Sequence, residues 1–235
     1  TRQSKSEGSS REASALTTAL LCNTALTPLS NPLQAIFYGK IDKKNPVILS
    51  LDTEIKELKG YMKKVRSQEG RFRGARSLFN IFNKYKPRLP PMYFEEKLLE
   101  FGDFLYKLQM YDLALWQSYE RYLQKFGSFN LDEITDVNSF RSVFFPEGLG
   151  VETAALTFHA LQGSSICTYH LLKESDSILQ NEQSINKVIS ILTFLRVTTE
   201  ALLPIEKLCW LLYNGSSKFV SSCLFLLQSH KANLL

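Results

Sequence analysis

The chain has 235 residues, of which 44% are hydrophobic and 12% aromatic, and its formal net charge is +5. A chain of this length can form one or two domains with a buried core. No apolar run reaches the roughly 18 residues of a membrane-spanning helix, which argues against an integral membrane protein.

The positive charge is concentrated in one segment of the chain. Residues 40 to 88 contain 14 Lys and Arg against 5 Asp and Glu, whereas residues 89 to 235 contain 11 against 16. This distribution predicts a basic patch next to an acidic remainder, instead of a uniformly charged surface.

Residues 1 to 44 are predicted to be a mostly disordered or extended N-terminal segment. They are rich in Ser and Thr, have little apolar periodicity before Leu16, and carry two prolines in the sequence TPLSNP. The chain starts with Thr and ends on KANLL, and we expect it to be part of a longer protein.

Residues 45 to 90 are predicted to be a basic helical segment. Asn45 is a good N-cap, and Pro46 suits the first helical position because the amide proton it lacks is not needed there. One apolar face follows at helical spacing, formed by Leu51, Ile55, Leu58, Met62 and Val65. Beside it runs a basic stripe of Lys56, Lys59, Lys63 and Arg66. Gly70 and Gly74 then predict a break in the helix, with Arg71, Arg73 and Arg76 in an adaptable linker.

Residues 91 to 128 are predicted to form an antiparallel helical hairpin. Phe94, Leu98, Phe101, Leu105 and Leu108 repeat the helical spacing on the first helix. We expect Asp112 to cap the second helix, with Leu113, Trp116 and Leu123 on its inner side. A glycine inside a helix costs about 1 kcal/mol relative to Ala, so Gly102 predicts a close helix contact shared with Ala114.

The remainder of the chain is also predicted to be helical. Residues 129 to 150 are a polar connecting segment whose length suggests that it carries short structure of its own. Residues 151 to 235 are expected to begin a longer helical array, with a break at Gly163 and an apolar face of Ile185, Val188, Ile189, Leu192 and Leu195. We find no alternating run bounded by hairpin turns, so the predicted fold class is all-α.

The hairpin resembles a tetratricopeptide unit of about 34 residues. Leu98, Phe101, Gly102, Leu105, Tyr111 and Ala114 match the spacing of that motif. Three positions depart from it: Ser118 replaces a large aromatic, Arg121 replaces a small residue, and Phe126 replaces the closing proline. The resemblance implies an α-solenoid of helical hairpins; a generic helical hairpin is the alternative, because short motifs often match by chance.

Three longer strings resemble the N-terminal region of a family of ciliary proteins of the axonemal central apparatus. They are FYGKIDKKNPVILSLDTEIKELKGYMKK, EEKLLEFGDFLYKLQMYDLALWQSYERYL and LLPIEKLCWLLYNGS. The resemblance implies a non-enzymatic scaffold that helps to build a projection on a central microtubule and supports ciliary and sperm motility. It also implies a location in the cytoplasm, within the axonemal cytoskeleton, and other central-apparatus proteins as partners.

We find no catalytic motif and predict no enzymatic activity, cofactor or metal. The chain lacks both phosphate-binding glycine motifs, its four cysteines form no Cys-x-x-Cys pair, and its three histidines lack metal-ligand spacing. His159, Cys167 and His170 invite a nucleophile hypothesis, but no orienting carboxylate is visible in register. The cysteines are interpreted as reduced core thiols.

The basic segment has three possible roles at this stage. Lys56, Lys59, Lys63, Arg66, Arg71, Arg73 and Arg76 could contact tubulin or another acidic partner. They could instead keep a helix face hydrated or pair with the acidic remainder of the chain. Basic residues interleaved with Phe72, Phe79, Phe82 and Tyr85 also suggest nucleic-acid binding, which we consider the least favoured role because the aromatic spacing fits a buried helix face. A generic helical-repeat adaptor is the alternative to the ciliary scaffold.

Overall fold

The computed structural model describes residues 45–127, 136–177 and 181–205, together with Leu208 and Leu211. All regular secondary structure in these ranges is helical, which confirms the all-α prediction. The α-helices are α1 (Pro46–Lys64), α2 (Gln68–Tyr85), α3 (Pro91–Lys107), α4 (Tyr111–Ala114), α5 (Glu120–Leu123), α6 (Val137–Phe144), α7 (Val151–Ser175) and α8 (Glu182–Leu202). Two 3₁₀ turns occur at Lys86–Arg88 and Gln124–Phe126.

Helix α1 begins where the capping pattern predicts. The Asn45 side chain accepts a hydrogen bond from the Val47 amide at 2.9 Å, and Pro46 occupies the first turn. The predicted apolar face turns inward, with Leu51 and Met62 fully buried.

The prediction of a glycine-broken helix was wrong. The chain breaks at residues 65 to 67, where Ser67 caps α2, and Gly70 and Gly74 lie inside α2. A Cβ atom at Gly74 would lie 2.5 Å from Met62 Cγ, and one at Gly70 would collide with Val65. These glycines therefore allow α1 and α2 to approach closely, and tertiary packing outweighs their low helix propensity.

Helix α3 and residues 111 to 123 form the antiparallel hairpin. Near one end of the pair Lys125 contacts Glu95, and further along Tyr119 contacts Asp103. Gly102 is buried at the contact, where an added Cβ would lie 2.9 Å from both Ser118 Cβ and the Tyr119 ring. Ser118 also donates a hydrogen bond of 2.6 Å to the Leu98 carbonyl, so the small residue in place of an aromatic serves the close approach.

The second helix of the hairpin differs from the prediction at its start and on its inner face. Its N-cap is Met110 and no side chain caps it, so Asp112 lies within the first turn. Residues Leu115–Tyr119 form a π-helical turn between α4 and α5. This wider turn changes the register of the face that packs inward, and Trp116 is 60% exposed instead of buried. Ala114, Leu115, Ser118, Tyr119, Tyr122 and Leu123 form the inner face.

The connecting segment carries a short helix, as its length suggested. Asp136 caps α6 by accepting a hydrogen bond from the Ser139 amide at 2.7 Å. Phe140 and Phe144 are both buried. The centroid of the Phe140 ring lies 5.6 Å from that of Phe194 on α8, and the centroid of the Phe144 ring lies 5.1 Å from that of Phe126. Phe126, which replaces the closing proline of the motif, thus joins the hairpin to α6.

Helix α7 runs without interruption through Gly163, so the predicted break there was wrong. Gly163 faces the Tyr119 ring, which occupies the space that a side chain would need. Helix α7 packs on the hairpin, and α8 packs on α7 and α6.

The apolar face predicted for α8 is only partly buried. Val188 and Leu195 are buried, whereas Ile189 is 51% exposed. No helix among the described residues is long and apolar enough to cross a membrane. The stacking of the hairpins into a solenoid stays a prediction, and the N-terminal segment and the final hairpin lie outside the described residues.

Candidate functional site

Three of the predicted basic residues are exposed along α1 and in its connection to α2. Lys56 and Lys63 are exposed on α1, two turns apart, and Arg66 is exposed in the connection to α2. No carboxylate partner is found for any of the three among the residues that the structure describes.

Lys59 has a different environment from the other three lysine and arginine residues of the stripe. Its Nζ atom lies 5.5 Å from the centroid of the Phe104 ring on α3. Burial lowers the pKa of Lys59, and the nearby Glu100 carboxylate partly opposes that effect. Lys59 thus belongs to the contact between α1 and α3, with its aliphatic stem covering apolar surface.

Arg71, Arg73 and Arg76 are held on α2, not in a flexible linker. Arg71 donates a hydrogen bond of 3.2 Å to the Val65 carbonyl, which ties α2 to the end of α1. Arg73 pairs with Glu69 at 3.2 Å on a fully hydrated face, where such pairs contribute about 0–1 kcal/mol. Arg76 is exposed and, within the described part of the chain, has no ionic partner.

Two shallow cavities flank Phe72 on the same helix. Arg66 and Arg71 line a cavity of about 390 Å³ that reaches Met110 in the hairpin turn. Arg73 and Arg76 line a cavity of about 370 Å³ that reaches Leu113. Phe72 lines both cavities and is 46% exposed. An exposed aromatic side chain among arginines is typical of protein–protein interfaces.

Phe79, Phe82 and Tyr85, the other aromatic residues of the possible nucleic-acid-binding pattern, are engaged in packing. Phe82 and Tyr85 are buried, and Phe82 stacks on Phe101 with centroids 5.5 Å apart. The Arg121 guanidinium lies 4.7 Å over the Phe79 ring. These ring faces are therefore covered, and Phe72 is the exposed aromatic residue of α2 on which a base could stack.

His159 belongs to a polar cluster that joins the hairpin to α7. Its Nε2 atom lies 2.8 Å from Asp103 Oδ1, and the same oxygen accepts a hydrogen bond of 2.7 Å from the Tyr119 hydroxyl. Burial raises the pKa of Tyr119, so the hydroxyl stays protonated as a donor. This carboxylate is not recognisable from the sequence, because 56 residues separate Asp103 from His159 and no local pattern relates them.

His170 and Cys167 have the environments of packed core residues. The His170 ring stacks on Tyr111 at 4.4 Å and its Nε2 lies 3.0 Å from the Tyr106 hydroxyl. Burial lowers the pKa of His170, which favours the neutral ring. Cys167 is fully buried and forms no disulfide, as predicted, whereas the other cysteines lie outside the described residues. No group of His, Cys, Asp and Glu suited to a metal ion occurs in the described ranges.

Glu96 is a buried carboxylate that the sequence analysis did not single out. Its side chain is 4% exposed, and Oε2 has no hydrogen-bond partner. Burial raises the pKa of Glu96 to about 7, and the neighbouring Glu100 acts in the same direction.

The sequence itself provides the evidence for the family. The sequence model described as cilia- and flagella-associated protein 54 matches residues 67–233 of this chain. The chain belongs to the cilia- and flagella-associated protein 54 family. The resemblance noted in the sequence is thereby confirmed.

Two mammalian relatives agree with that assignment. Cilia- and flagella-associated protein 54 of Mus musculus is 47% identical over 209 residues, and that of Homo sapiens is 45% identical over 210 residues. Each alignment covers 84% of this chain but only 7% of the relative. The chain thus spans a small part of the length of its relatives.

Membership of the cilia- and flagella-associated protein 54 family supports a role connected with cilia. The matched region contains α2, the hairpin, α7 and α8. Within the hairpin, Leu98, Phe101, Leu105 and Ala114 are buried, and Tyr111 is half-buried against His170.

Proposed function

We propose that this chain is a non-enzymatic scaffold segment of the ciliary and flagellar axoneme, within the central apparatus. Family membership over residues 67–233 is the observation that carries the proposal. The segment helps to assemble a projection on a central microtubule, and through it supports ciliary and sperm motility.

The helix packing and the shallow cavities of the described residues suit a scaffold. Its helices pack through buried aromatic and aliphatic side chains, and the polar clusters around His159 and His170 tie helices together. The two cavities that flank Phe72 are open and shallow, which suits a binding face better than a substrate pocket.

The proposed contact surface consists of Lys56, Lys63, Arg66 and Arg76, with Arg71 and Arg73 beside them. Its partner is tubulin or an acidic neighbour in the projection. The support is electrostatic: Lys56, Lys63, Arg66 and Arg76 are exposed cations without a carboxylate partner in the described ranges, and the microtubule surface is acidic.

The role of the whole protein is tested in axonemes. Cryo-electron tomography of cilia that lack the full-length protein should show a missing central-apparatus projection, and re-expression of the full-length protein should restore it. Intact projections in its absence would contradict the scaffold proposal.

The surface is tested by co-sedimentation of this chain with microtubules. Exposed ionic contacts are screened over about 10 Å at 0.1 M salt, so the bound fraction should fall as salt rises. At a fixed salt concentration, the double variant Lys56→Glu with Lys63→Glu should bind a smaller fraction than the wild-type chain. The matched control is Lys187→Glu with Arg196→Glu on α8, which makes the same charge change on another helix.

If the two double variants lose the same bound fraction, binding depends only on the total charge of the chain and not on this surface. A wild-type chain that stays in the supernatant at low salt would contradict the tubulin contact while leaving the scaffold proposal intact. Binding to a non-ciliary helical protein instead of to microtubules would favour the general adaptor function.

A further inference from the structure

A second group of cations surrounds a cleft at the far end of α2 from the α1–α2 turn. The cleft has a volume of about 300 Å³ and lies between the 3₁₀ turn after α2, the start of α3 and the end of α5. Its apolar floor includes Leu89, Phe94 and Leu98, and Lys86, Arg121 and Lys125 also line it. These three cations come from segments about 35 residues apart, and none of them belongs to the basic surface described above.

Positive charge exceeds negative charge in this cleft. Among the described residues that line it, the one carboxylate is Glu95, and both oxygens of Glu95 already accept hydrogen bonds from Lys125 Nζ at 3.1 Å. Lys86 and Arg121 have no carboxylate partner among the residues that the structure describes. A concave site with unbalanced charge of one sign concentrates ligands of the other sign.

Arg121 lines the cleft, and its guanidinium is only partly paired. Its Nη2 donates to Asn83 Oδ1 at 3.0 Å, but Nη1 is buried without a hydrogen-bond partner. Burial lowers the pKa of Arg121. A partly desolvated guanidinium without an anion is unfavourable, and carboxylates are its preferred planar partners.

The aromatic rings of the cleft distinguish among anionic ligands. Lys86 Nζ lies 5.5 Å from the Phe94 ring centroid, and Lys125 Nζ lies 3.8 Å from that of Tyr122. Because both rings are buried and a cation lies over each, nucleic-acid bases have no free face on which to stack. The volume suits one or two side chains, and the floor suits an apolar one.

We propose that this cleft binds an acidic segment of a partner protein. Carboxylates of the segment contact Lys86 and Arg121, and a neighbouring apolar side chain packs on Leu89 and Phe94. The site is separate from the basic surface on α1 and α2, and its existence does not depend on the ciliary role.

The test uses the whole chain and two fluorescein-labelled peptides, one of alternating Glu and Leu and one with Gln in place of Glu. Fluorescence polarisation at low salt should show binding of the Glu peptide and at least tenfold weaker binding of the Gln peptide. Lys86→Gln with Arg121→Gln should weaken binding of the Glu peptide at least tenfold. Lys187→Gln with Arg196→Gln, which removes the same charge from exposed positions on α8, should change it less than twofold.

Lys86→Gln alone is the safeguard against misfolding, because Lys86 is exposed and Arg121 keeps its contacts with Phe79 and Asn83. It should weaken binding about threefold. Equal losses in the two double variants, equal binding of the two peptides, or no binding by the wild-type chain would overturn the proposal. Displacement of the Glu peptide by submillimolar inorganic phosphate would also overturn it, since the cleft would then be a phosphate site.

Discussion

At the scale of single residues, the glycines of this chain differ because their neighbours differ. Gly102 faces Ser118 and Tyr119, which are both fixed by hydrogen bonds to α3. Gly60 on α1 has no atom within 4 Å of an added Cβ. The same substitution should therefore have opposite effects at these two positions.

We expect Gly102→Ala to destabilise the protein by about 1–3 kcal/mol, since the added methyl group overpacks a contact that cannot easily relax. Gly60→Ala is the control, and it should stabilise by up to about 1 kcal/mol through helix propensity alone. Urea unfolding followed by circular dichroism measures both. Equal effects at the two sites would show that Gly102 does not serve close approach.

Glu96 should make stability depend on pH. Its pKa rises from an ordinary value of 4.5 to about 7 on folding, so the folded state binds more protons between these values. Stability should then fall as pH increases through that window and remain lowered above it. Glu96→Gln should raise the free energy of unfolding by about 1–3 kcal/mol at pH 8 and have little effect near pH 4.5. A pH-independent difference in urea unfolding would contradict this assignment.

At the scale of secondary structure elements, the hairpin turn contains one unfavourable backbone conformation. Helix α3 ends with the Met110 amide donating to the Leu105 carbonyl at 3.0 Å and the Gln109 amide donating to that of Tyr106 at 2.9 Å. This is the Schellman pattern, in which the residue at Gln109 must be left-handed. Gln109 has φ of 60°, and glycine normally occupies such a position.

We expect Gln109→Gly to stabilise the hairpin by about 0.5–1 kcal/mol, because glycine adopts positive φ without steric penalty. Thermal denaturation monitored at 222 nm should show a raised midpoint. Gln109→Ala is the comparison and should leave the midpoint nearly unchanged, since alanine shares the strain of glutamine. A lowered midpoint for the glycine variant would contradict the assigned turn geometry.

At the scale of the whole molecule, Asp103 connects elements distant in sequence. Its carboxylate contacts Tyr119 of the hairpin and His159 of α7, and Gly163 allows α7 to approach the same tyrosine. The hairpin and α7 should therefore unfold together and not as independent repeats.

Asp103→Ala should lower the free energy of unfolding by about 1–3 kcal/mol, because the buried Tyr119 hydroxyl loses its acceptor. Native-state hydrogen exchange should show a similar loss of protection in α3 and in α7. Glu57→Ala, a change at an exposed carboxylate on α1, is the control. It should leave the free energy of unfolding and the hydrogen-exchange protection of α3 and α7 unchanged. Loss confined to α3 would indicate independent hairpins, as in a solenoid with weak coupling.

Local features of the sequence determined where most helices lie. The Asn45–Pro46 start, the apolar face of α1 and the hairpin of residues 91 to 128 follow from capping and periodicity, which act between residues a few positions apart. The clustering of basic residues in the sequence also predicted a basic surface, and Lys56, Lys63, Arg66 and Arg76 are exposed, while their contact with a partner stays a prediction.

Only the tertiary structure decided the features that depend on contacts between distant segments. Gly70, Gly74 and Gly163 look like helix breaks locally, yet each lies inside a helix because a neighbouring side chain occupies the space beside it. The π-helical turn exposes Trp116, and packing turns Lys59 toward Phe104. Arg121 and Lys86 line the same cleft, and Asp103 contacts His159. These pairs are distant in the sequence, so no local pattern could predict that folding brings them together.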